Sequence, residues 1–597
     1  MSILTGSETA PSGSPGRRSE GDTPVPVDPG RHATTWLWER SDAPNRDAVR
    51  HWVDGSWKGL TRPELAERVR AVAAGLVAAG VGAGDRVVLM GRTSLEWTVA
   101  DLAVLAAGAV TVPVYETSTV EQCRFILTSS QARIALADGE VCRARLEEAW
   151  GGAGPVLALN GPGLDQLAGG AADGHREEVT RRLEAVDGAS PATIIYTSGT
   201  TGSPKGCLLT HANIVWTSAQ CRARLSQALD DTGSMLLFLP LAHVFARVVQ
   251  FVCLEAGVPV GYAQSLARLK DDLATFQPTL VLAVPAVLQR VFDRARSHAS
   301  GRLKAGIFGF AVRTADACSR PSAGIRHRVL DARRLVADRL VYARVRHGLG
   351  GRLRYCVSGG APLPVPLARF FQAAGITVLE GYGLTETSAP LSVNVPGQLR
   401  LGTVGRPLPG VAVRLADDGE ILVRGGNVFA GYLDDRDGTA AALADGWLRT
   451  GDLGSIDDDG FVTVTGRKKD LIVMSTGKKV APAPLEDRLR AHPLVADAVV
   501  VGEGRPYVVA LLALDPEAME GRTLEGASLK AELQRAVDDA NRGLSRPESI
   551  RAFAVLPRAL SQEDGELTPT LKVRRSAVVE HFGAAIAAAY EPGPRLS

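Results

Sequence analysis

The 597-residue sequence lacks a strong net charge of either sign. Its 67 Lys and Arg nearly balance 65 Asp and Glu, which leaves a formal net charge of +2 at pH 7. Aromatic residues make up only 5% of the chain, and no basic stripe with interleaved aromatics occurs. Because nucleic-acid-binding proteins carry such a positive footprint, the sequence gives no reason to expect a nucleic-acid partner.

Cysteines are also scarce, with seven in the whole chain. They form no CxxC pair and no Cys/His cluster with zinc spacing. The pattern favours reduced cysteines that pack in the interior of a cytoplasmic protein. Their positions are Cys123, Cys142, Cys207, Cys221, Cys253, Cys318 and Cys356.

Long apolar runs are missing too. The most apolar window, residues 99–115, is interrupted by Asp101 and Pro113 and reaches only about the lower length limit of a membrane span. It predicts a buried helix that leads into a strand. Residues 1–30 are rich in Ser, Gly, Pro and Thr. They have no apolar core, so they predict a disordered N-terminal extension and no signal peptide.

The length and the 45% apolar content predict at least two domains. Helix-like periodicity alternates with short apolar segments, which predicts an α/β fold of parallel sheets covered by helices. The helix-like segments are 64–79, 94–107 and 286–296, and the strand-like segments are 86–89 and 279–283. From Val411 the pattern changes to short strands and turns (412–415 and 421–423), which predicts a β-rich subdomain. Strands 499–502 and 508–513 beside helices 485–491 and 529–544 predict a small α+β domain.

The most informative segment runs from Tyr196 to Gly206 and combines hydroxyls, glycines and one lysine. Glycines let backbone N–H groups approach phosphate oxygens, and Lys205 adds a cation. The segment is not a Walker A loop, because Pro204 precedes the lysine and Gly206 follows it. We therefore expect a polyphosphate-binding loop, and a surface turn is the alternative. Its binding residues are Thr197, Ser198, Gly199, Thr200, Thr201, Gly202 and Lys205.

This loop resembles the signature loop of the AMP-forming adenylate synthetases, which include acyl-CoA synthetases, peptide-synthetase adenylation domains and luciferases. The resemblance extends over roughly residues 50–585. The further segments that carry it are 358–363, 379–387, 445–454, 466–470 and 565–575. Residues 237–247, 402–410 and 480–495 are particularly similar to long-chain fatty acyl-CoA synthetases, and the likeness is greatest to the actinobacterial type of long-chain fatty-acid CoA ligase.

The resemblance implies a nucleotide site in the segments around residues 360 and 383. The expected adenine-binding residues are Gly359, Gly360, Ala361, Gly381, Tyr382 and Gly383. Thr385 is expected to face the phosphates. Glu386 is expected to hold Mg2+, since a carboxylate beside a triphosphate is repelled unless a cation intervenes. A solvated turn is the alternative role for Glu386.

The remaining implied residues lie on either side of these segments. Asp452 is expected to bind the ribose, Arg467 to support the ribose and phosphate, and Lys469 to act as a hinge. Lys572 resembles the catalytic lysine of adenylation. The alternatives are a solvated basic turn for 467–469 and an ordinary surface charge for Lys572. His243 is expected near the acyl carboxylate, although a lone histidine is more often structural. Gly477 is expected to let a pantetheine arm pass.

The implied organisation is an AMP-binding domain at 31–466 and a mobile C-terminal lid domain at 467–597. The implied activity joins a long-chain fatty acid to coenzyme A, with ATP and Mg2+, through an acyl adenylate. Pro484 and Met474-Ser475-Thr476 depart from the family pattern and leave the acceptor less certain. The alternatives are an acyl-AMP ligase serving a carrier protein, activation of another carboxylic acid, and a non-catalytic sensor.

Residues 320–354 carry ten arginines and two aspartates among apolar residues. They can form either a solvated helix or a basic amphipathic helix on an anionic membrane surface. We therefore expect a cytoplasmic protein with a possible peripheral contact at the inner face of the membrane.

Overall fold

The computed structural model describes residues 17–39, 45–197, 204–297, 302–319, 325–519, 526–546, 548–568 and 573–591. The chain forms two compact units. The larger comprises residues 19–413 and 423–449, and the smaller comprises 414–422 and 450–597 together with the N-terminal residues up to Arg18.

The first sheet of the larger unit is mixed, with parallel strands at its centre. In spatial order its strands are Gly431–Tyr432, Lys205–Thr210, Pro191–Thr197, Val110–Val114, Arg86–Met90, Ile134–Ala137 and Val156–Ala158. Lys205–Thr210 is antiparallel to both of its neighbours. Val87 to Met90 are all fully buried, as expected for a parallel strand that helices cover on both faces.

The second sheet of the larger unit is parallel from Thr377–Tyr382 to Asp47–Val53 and antiparallel at its two edges. In spatial order its strands are Arg406–Pro407, Ser392–Val393, Thr377–Tyr382, Tyr355–Ser358, Leu280–Ala283, Met235–Leu237, Val260–Tyr262, Asp47–Val53 and Ser56–Thr61. The carboxyl ends of 355–358 and 377–382 are neighbours, and the predicted adenine-binding segments begin there.

Helices connect these strands. They are Thr35–Trp38, Arg62–Ala78, Leu95–Ala106, Val120–Ser130, Gly139–Trp150, Gly161–Gly169, Asp173–Ala185, His211–Arg224, Val244–Glu255, Leu269–Phe276, Pro285–Ser297, Arg302–Cys318, Ile325–Ala337, Ala343–Gly348, Val365–Ala373 and Arg436–Ala442, with a π-helix at Asp338–Tyr342 and a 3-10 helix at Thr385–Thr387. Local signals set their starts: Thr61 and Glu64 form a capping box, and Ser94 accepts a hydrogen bond from the Trp97 amide.

The predicted buried helix and strand at 99–115 are confirmed as Leu95–Ala106 and Val110–Val114. Asp101, which interrupts the apolar run, is fully buried. Its carboxylate accepts hydrogen bonds from Arg247 at 2.8 and 2.5 Å and from Thr111 at 2.8 Å. A buried charge requires such partners, and this pair fixes helix 244–255 against helix 95–106.

The prediction of disorder is wrong for residues 17–30. Arg18–Glu20 is a strand, and the backbone of Val25 exchanges two hydrogen bonds of 2.9 Å with the side chain of Gln220. The anchoring amide is almost 200 positions away, so local composition does not reveal it. Residues 1–16 of the predicted extension lie outside the described residues.

Each point at which the chain leaves one unit and enters the other lies inside a strand. These strands are Arg18–Glu20, Ala412–Leu415, Glu420–Arg424 and Trp447–Ile456. Leu443–Ala444 pairs with the start of the last of these strands. The predicted change to short strands and turns after Val411 is confirmed, and Gly419 adopts a φ of +82° in the predicted turn.

The smaller unit contains strands Val462–Arg467, Ile472–Val473, Lys479–Val480, Val495–Val501, Val508–Leu514 and Ile550–Val555, with helices Lys468–Asp470 (3-10), Ala483–Arg490, Pro516–Met519, Gly526–Ala540, Arg575–His581 and Gly583–Tyr590. Strand 508–514 lies between 495–501 and 550–555. Successive side chains of residues 508–513 point to opposite faces of this sheet and pack into two different hydrophobic cores. One core contains Val508, Ala510 and Leu512, and the other contains Val509, Leu511 and Ala513.

The predicted fold class, helix-covered sheets with a β-rich segment and a small α+β domain, is therefore confirmed. The predicted boundaries at 31, 466 and 467 stay predictions. Among the residues that the structure describes, no helix combines the length and apolarity that a membrane span requires. All seven cysteines are free, and six of them are buried.

Candidate functional site

The two ends of the predicted phosphate loop are fixed by strand pairing. Thr197 and Lys205 are opposite each other in the antiparallel pair 191–197 and 205–210. Residues 198–203, which hold the predicted binding residues Ser198, Gly199, Thr200, Thr201 and Gly202, lie outside the described residues. The framework thus places both ends of the loop at one edge of the first sheet.

Strand 431–432 adds an unpredicted group to this edge. Tyr432 pairs with Cys207 in the sheet, so its ring lies beside Lys205, whose Nζ is 4.8 Å from the ring centroid. The hydroxyl of Tyr432 donates a hydrogen bond of 2.9 Å to Oε1 of Glu386. Tyr432 therefore brings together the lysine and the glutamate that the sequence assigned to phosphate and to Mg2+.

Asp435 is a second unpredicted member of this cluster. Its Oδ2 accepts a hydrogen bond of 2.8 Å from Lys205 Nζ, which lowers the pKa of the Asp435 carboxyl. Burial raises the pKa of Tyr432, and the neighbouring Glu386 raises it further. Tyr432 is thus a neutral hydrogen-bond donor at physiological pH, and Lys205 is held by a carboxylate that a phosphate can replace as its partner.

The carboxylate of Glu386 is the type of oxygen ligand that a hard cation such as Mg2+ prefers. Its backbone carbonyl accepts from the Phe429 amide at 2.9 Å, which fixes the position of the residue, while the carboxylate faces Tyr432. No group of three or more His, Cys, Asp or Glu side chains among the described residues is arranged to hold a metal. A single carboxylate is nevertheless adequate for Mg2+, which keeps several waters and binds substrate phosphates.

Glycines lie at the point where the two predicted adenine-binding segments approach each other. Ser358, the last residue of strand 355–358, pairs with Glu380 in the adjacent parallel strand 377–382, so Gly359 follows the first strand beside Gly381 of the second. A Cβ at Gly359 would lie 3.2 Å from the carbonyl oxygen of Gly381 and 3.2 Å from the ring of Phe245. The close approach of the two segments thus favours glycine at position 359, because a Cβ there would be in tight contact with both neighbours.

Two further contacts shape these segments. The buried carboxylate of Glu380 accepts a hydrogen bond of 3.2 Å from the Leu363 amide, which ties the segment 359–363 to the neighbouring strand. A Cβ at Gly383 would lie 2.8 Å from Cα of Pro390. The chain reverses after Thr385 and Glu386, where Ser388 adopts a φ of +50°. Gly360, Ala361, Tyr382 and Gly383 lie within these two segments.

His243 caps helix 244–255. Its Nδ1 accepts a hydrogen bond of 3.1 Å from the Phe245 amide, so the neutral ring carries its proton on Nε2. The Phe245 ring in turn contacts Gly359. The structure therefore brings His243 close to the adenine segments, while its structural capping role accounts for the orientation of the ring.

An apolar cavity lies behind the same residues. Phe245 and Gly381 line it, together with Val249, Leu225, Ala228 and Cys221. Its walls consist of aliphatic, aromatic, thiol and glycine groups, so they offer nothing to a polar or charged substrate tail. This cavity is the feature that sequence patterns missed, because its lining comes from separate segments of the chain.

Asp452 and Arg467 form a pair within the smaller unit. They are opposite each other in antiparallel strands, and Arg467 Nε donates a hydrogen bond of 2.6 Å to Oδ1 of Asp452. Asp452 is only 3% exposed, and its amide donates to the hydroxyl of Thr450 at 3.0 Å. The structure thus joins the two predicted ribose-binding residues directly.

The predicted hinge residue Lys469 is exposed in the 3-10 helix 468–470. Its neighbour Lys468 contacts Asp418 at 2.5 Å and Glu420 at 3.3 Å. Gly477 has a φ of +78°, and a Cβ there would meet nothing within 4 Å. Within the smaller unit, therefore, the turn conformation is what requires glycine at position 477.

Lys572 lies outside the described residues, although the structure describes the chain on either side. Leu567 and Val573 form an antiparallel bridge. The fully buried Glu566 accepts two hydrogen bonds of 2.7 Å from Arg558, which lowers its pKa to about 2. The chain therefore enters and leaves the segment containing Lys572 at a well-anchored position.

Comparisons with known proteins agree with this arrangement. Residues 38–433 match the AMP-binding enzyme family, and residues 469–593 match the AMP-binding enzyme C-terminal domain. The chain is 44% identical over 595 residues to the long-chain-fatty-acid–CoA ligase FadD15 of Mycobacterium tuberculosis, which covers 95% of this chain and 98% of that protein. It is 31% identical to the human long-chain-fatty-acid–CoA ligase 1, with coverage of 89% and 82%.

Among solved structures, the O-succinylbenzoate coenzyme A synthetase of Bacillus subtilis in complex with AMP has a TM-score of 0.68 at 24% identity and covers 91% of this chain and 97% of its own. MatB of Rhodopseudomonas palustris has a TM-score of 0.69 at 24% identity, with coverage of 92% and 99%. These two likenesses concern the fold. The family matches and the 44% identity together show that the chain belongs to the AMP-binding enzyme family.

Proposed function

We propose that this protein is an ATP-dependent ligase that converts a long-chain fatty acid into its acyl-CoA. The observation that carries the proposal is the match of nearly the whole chain to relatives named long-chain-fatty-acid–CoA ligases. The apolar cavity beside Phe245 and Gly381 has a volume of only about 30 Å³, which is far less than a long acyl chain occupies. Its apolar lining supports the same substrate class, and in this proposal it forms one part of the acyl site.

The first half-reaction joins the acid to AMP. A carboxylate oxygen of the acid attacks the α-phosphorus of ATP, the bond from that phosphorus to the bridging oxygen breaks, and pyrophosphate leaves with the electron pair. Lys205 and the hydroxyls of the loop 197–202 balance charge on the phosphates. Gly359, Gly360, Ala361, Gly381, Tyr382 and Gly383 hold the adenine, and Thr385 contacts the phosphates.

Glu386 is the residue that would hold Mg2+, which when bound offsets the negative charge of the phosphates. Tyr432 keeps the Glu386 carboxylate in position through its hydrogen bond. Its neutral hydroxyl adds no negative charge to a site that must hold a triphosphate. His243, with its proton on Nε2, donates to the acyl carboxylate.

The residues of the smaller unit have complementary roles in this proposal. Asp452, oriented by Arg467, accepts hydrogen bonds from the ribose hydroxyls. Lys572 stabilises the reacting oxygens during adenylation. In the second half-reaction the thiolate of coenzyme A attacks the acyl carbon, and AMP leaves. We assign Lys469 as the hinge between the steps and Gly477 to the passage of the pantetheine arm.

We also propose a cytoplasmic location, because the seven cysteines are free and six of them are buried, which suits a reducing compartment. Contact with a membrane is peripheral in this proposal. The partners are the fatty acid, ATP and coenzyme A, and no nucleic acid is expected.

The test is product analysis by mass spectrometry. Purified protein is given ATP, Mg2+, coenzyme A and a panel of acids from acetate to C18. The proposal predicts acyl-CoA and AMP from the long acids. Acyl adenylate without thioester would replace it with the acyl-AMP ligase alternative, and the absence of both products from every acid would refute the assigned chemistry.

A further inference from the structure

The ammonium group of Lys205 is held by a short segment of the chain that begins at Tyr432. Its Nζ lies 4.8 Å from the centroid of the Tyr432 ring and donates a hydrogen bond of 2.8 Å to Oδ2 of Asp435. The amide of Leu433 donates to the carbonyl of Gly206 at 2.8 Å, which fixes the segment beside the lysine. The lysine side chain therefore has a preformed partner of opposite charge within the larger unit.

The two carboxylate oxygens of Asp435 have different partners. Oδ1 accepts a hydrogen bond of 2.8 Å from the Gly438 amide and caps helix 436–442, whereas Oδ2 accepts from Lys205. Asparagine and aspartate are about equally good N-cap residues, so the cap does not require a negative charge. Capping therefore accounts for Oδ1 of Asp435, and the contact with Lys205 accounts for its charge.

Gly438 permits this contact. A Cβ at position 438 would lie 2.6 Å from Nζ of Lys205 and would also overlap with the Asp435 carboxylate. Gly438 lies inside helix 436–442, where alanine would stabilise the helix more than glycine does. The sequence thus has glycine at the position where any side chain would separate Lys205 from Asp435.

The pair is open to solvent. The side chains of Lys205 and Asp435 are 46% and 36% exposed, so a phosphate can reach the ammonium group without a rearrangement of the fold. An exposed ion pair contributes little to folding stability. A phosphate and the Asp435 carboxylate repel each other when both approach the same ammonium group, so phosphate binding has to draw Lys205 away from Asp435.

We propose that Asp435 competes with the substrate phosphates for Lys205, and that it thereby weakens the binding of ATP and of pyrophosphate and promotes the release of pyrophosphate. The inference rests on the nucleotide site of the proposed function and adds Asp435 as a positioning residue that acts through Lys205. Once pyrophosphate has formed, Lys205 leaves it and returns to Asp435. Lys205 serves the β- and γ-phosphates in this scheme, so the binding of AMP does not depend on the exchange.

The experiment measures binding of ATP, pyrophosphate and AMP by calorimetry. Each ligand is supplied with Mg2+ and without acid or coenzyme A, so that no turnover occurs. Asp435→Asn keeps the capping oxygen and removes the charge. It is expected to bind ATP and pyrophosphate roughly two- to fivefold more tightly, the range of an exposed ion pair, and to bind AMP like wild type. Pyrophosphate should become a stronger product inhibitor by a similar factor.

A second variant separates the pair without a change of charge. In Gly438→Ala the added Cβ displaces Nζ of Lys205 from Asp435, and alanine suits the helix. This variant should show the same ligand pattern as Asp435→Asn. Circular dichroism and thermal unfolding check that both variants fold.

The matched control is Asp434→Asn, which removes one negative charge from the neighbouring exposed residue. Asp434 has a φ of +51°, a conformation that asparagine also adopts, so the fold is retained. The control should bind all three ligands like wild type. Tightening of ATP binding by Asp434→Asn as large as that by Asp435→Asn would mean general charge repulsion and would overturn the proposal.

Lys205→Met tests whether Asp435 acts through the lysine. This variant should bind ATP and pyrophosphate more weakly than wild type. In its background, Asp435→Asn should change binding no more than Asp434→Asn does. A purely structural role of Asp435 would instead give the same effect with and without the lysine, which would contradict the proposal.

The binding results separate this inference from the proposed function. Weaker or unchanged binding of ATP and pyrophosphate by Asp435→Asn would overturn the inference, and so would an equal tightening of AMP binding. If wild type forms acyl-CoA while Asp435→Asn shows such a result, only the inference about Asp435 fails. If the predicted binding pattern appears but no acid yields acyl adenylate or acyl-CoA, only the proposed function fails.

Discussion

The hydroxyl of Tyr432 donates a hydrogen bond of 2.9 Å to the carboxylate of Glu386. The ring of the same tyrosine lies 4.8 Å from the Nζ of Lys205. One side chain thereby links the residue proposed to hold Mg2+ to the lysine that closes the phosphate loop. Tyr432→Phe removes the hydroxyl and keeps the ring.

We expect Tyr432→Phe to lower kcat/KM for ATP about tenfold, because a hydrogen bond to a charged group contributes about 1.5 kcal/mol or more. The Mg2+ concentration for half-maximal rate should rise as well. Steady-state kinetics with varied Mg2+ measures both. Tyr262→Phe, which removes a hydroxyl bonded to Gln250 at 3.2 Å, is the matched control. Unaltered Mg2+ dependence in Tyr432→Phe would refute the assigned role.

The cavity predicts opposite changes in chain-length preference from two substitutions. Ala228→Leu adds volume at the cavity wall and should disfavour the longest acids. Leu225→Ala removes volume and should favour them relative to shorter acids. One methylene contributes about 1 to 3 kcal/mol, so shifts of roughly tenfold in relative kcat/KM are expected across C8 to C18 acids. Identical profiles for both variants would show that the acyl chain binds elsewhere.

His211 makes the larger unit sensitive to acid. The side chain is buried, and burial lowers its pKa from 6.5 to about 3. Between pH 6.5 and about 3 only the unfolded chain takes up this proton. The contribution of His211 to the free energy of unfolding is therefore fully present above pH 6.5 and is lost as the pH is lowered. At pH 5 the free energy of unfolding is expected to be lower by about 2 kcal/mol.

Urea unfolding at pH 7 and at pH 5 measures this effect. The lowered pKa of the neighbouring buried His32, which burial also causes, acts in the same direction. His211→Asn should reduce the difference between the two pH values, and the exposed His347→Gln should leave it unchanged. A wild-type stability that rises from pH 7 to pH 5 would contradict this account of His211.

Lys572→Ala separates the two half-reactions. Acyl adenylate formation should fall by a factor on the order of 100 or more, since the variant lacks the cation proposed for the reacting oxygens. ATP binding by calorimetry should be largely retained. Thioester formation from synthetic acyl adenylate and coenzyme A should also persist. If both half-reactions fall equally, Lys572 has a structural role instead.

The sequence predicted the elements whose signals are local. Helix 95–106 lies between the predicted limits because Ser94 caps it, and strand 412–415 has the predicted bounds. The sequence did not predict the roles of Tyr432 and Asp435, because strand pairing brings them to Lys205 from about 230 positions away. It did not predict the cavity either, because residues that are far apart in the sequence line it. The anchoring of residues 17–30 depends on the distant Gln220.

The fate of the carboxylate oxygen tests the central claim most directly. The protein is given a C16 acid labelled with 18O in both carboxylate oxygens, together with ATP, Mg2+ and coenzyme A, and the products are analysed by mass spectrometry. Attack of the carboxylate on the α-phosphorus predicts AMP that carries one 18O and pyrophosphate that carries none. Unlabelled ADP with 18O in inorganic phosphate would mean attack at the γ-phosphorus and would contradict the adenylate mechanism.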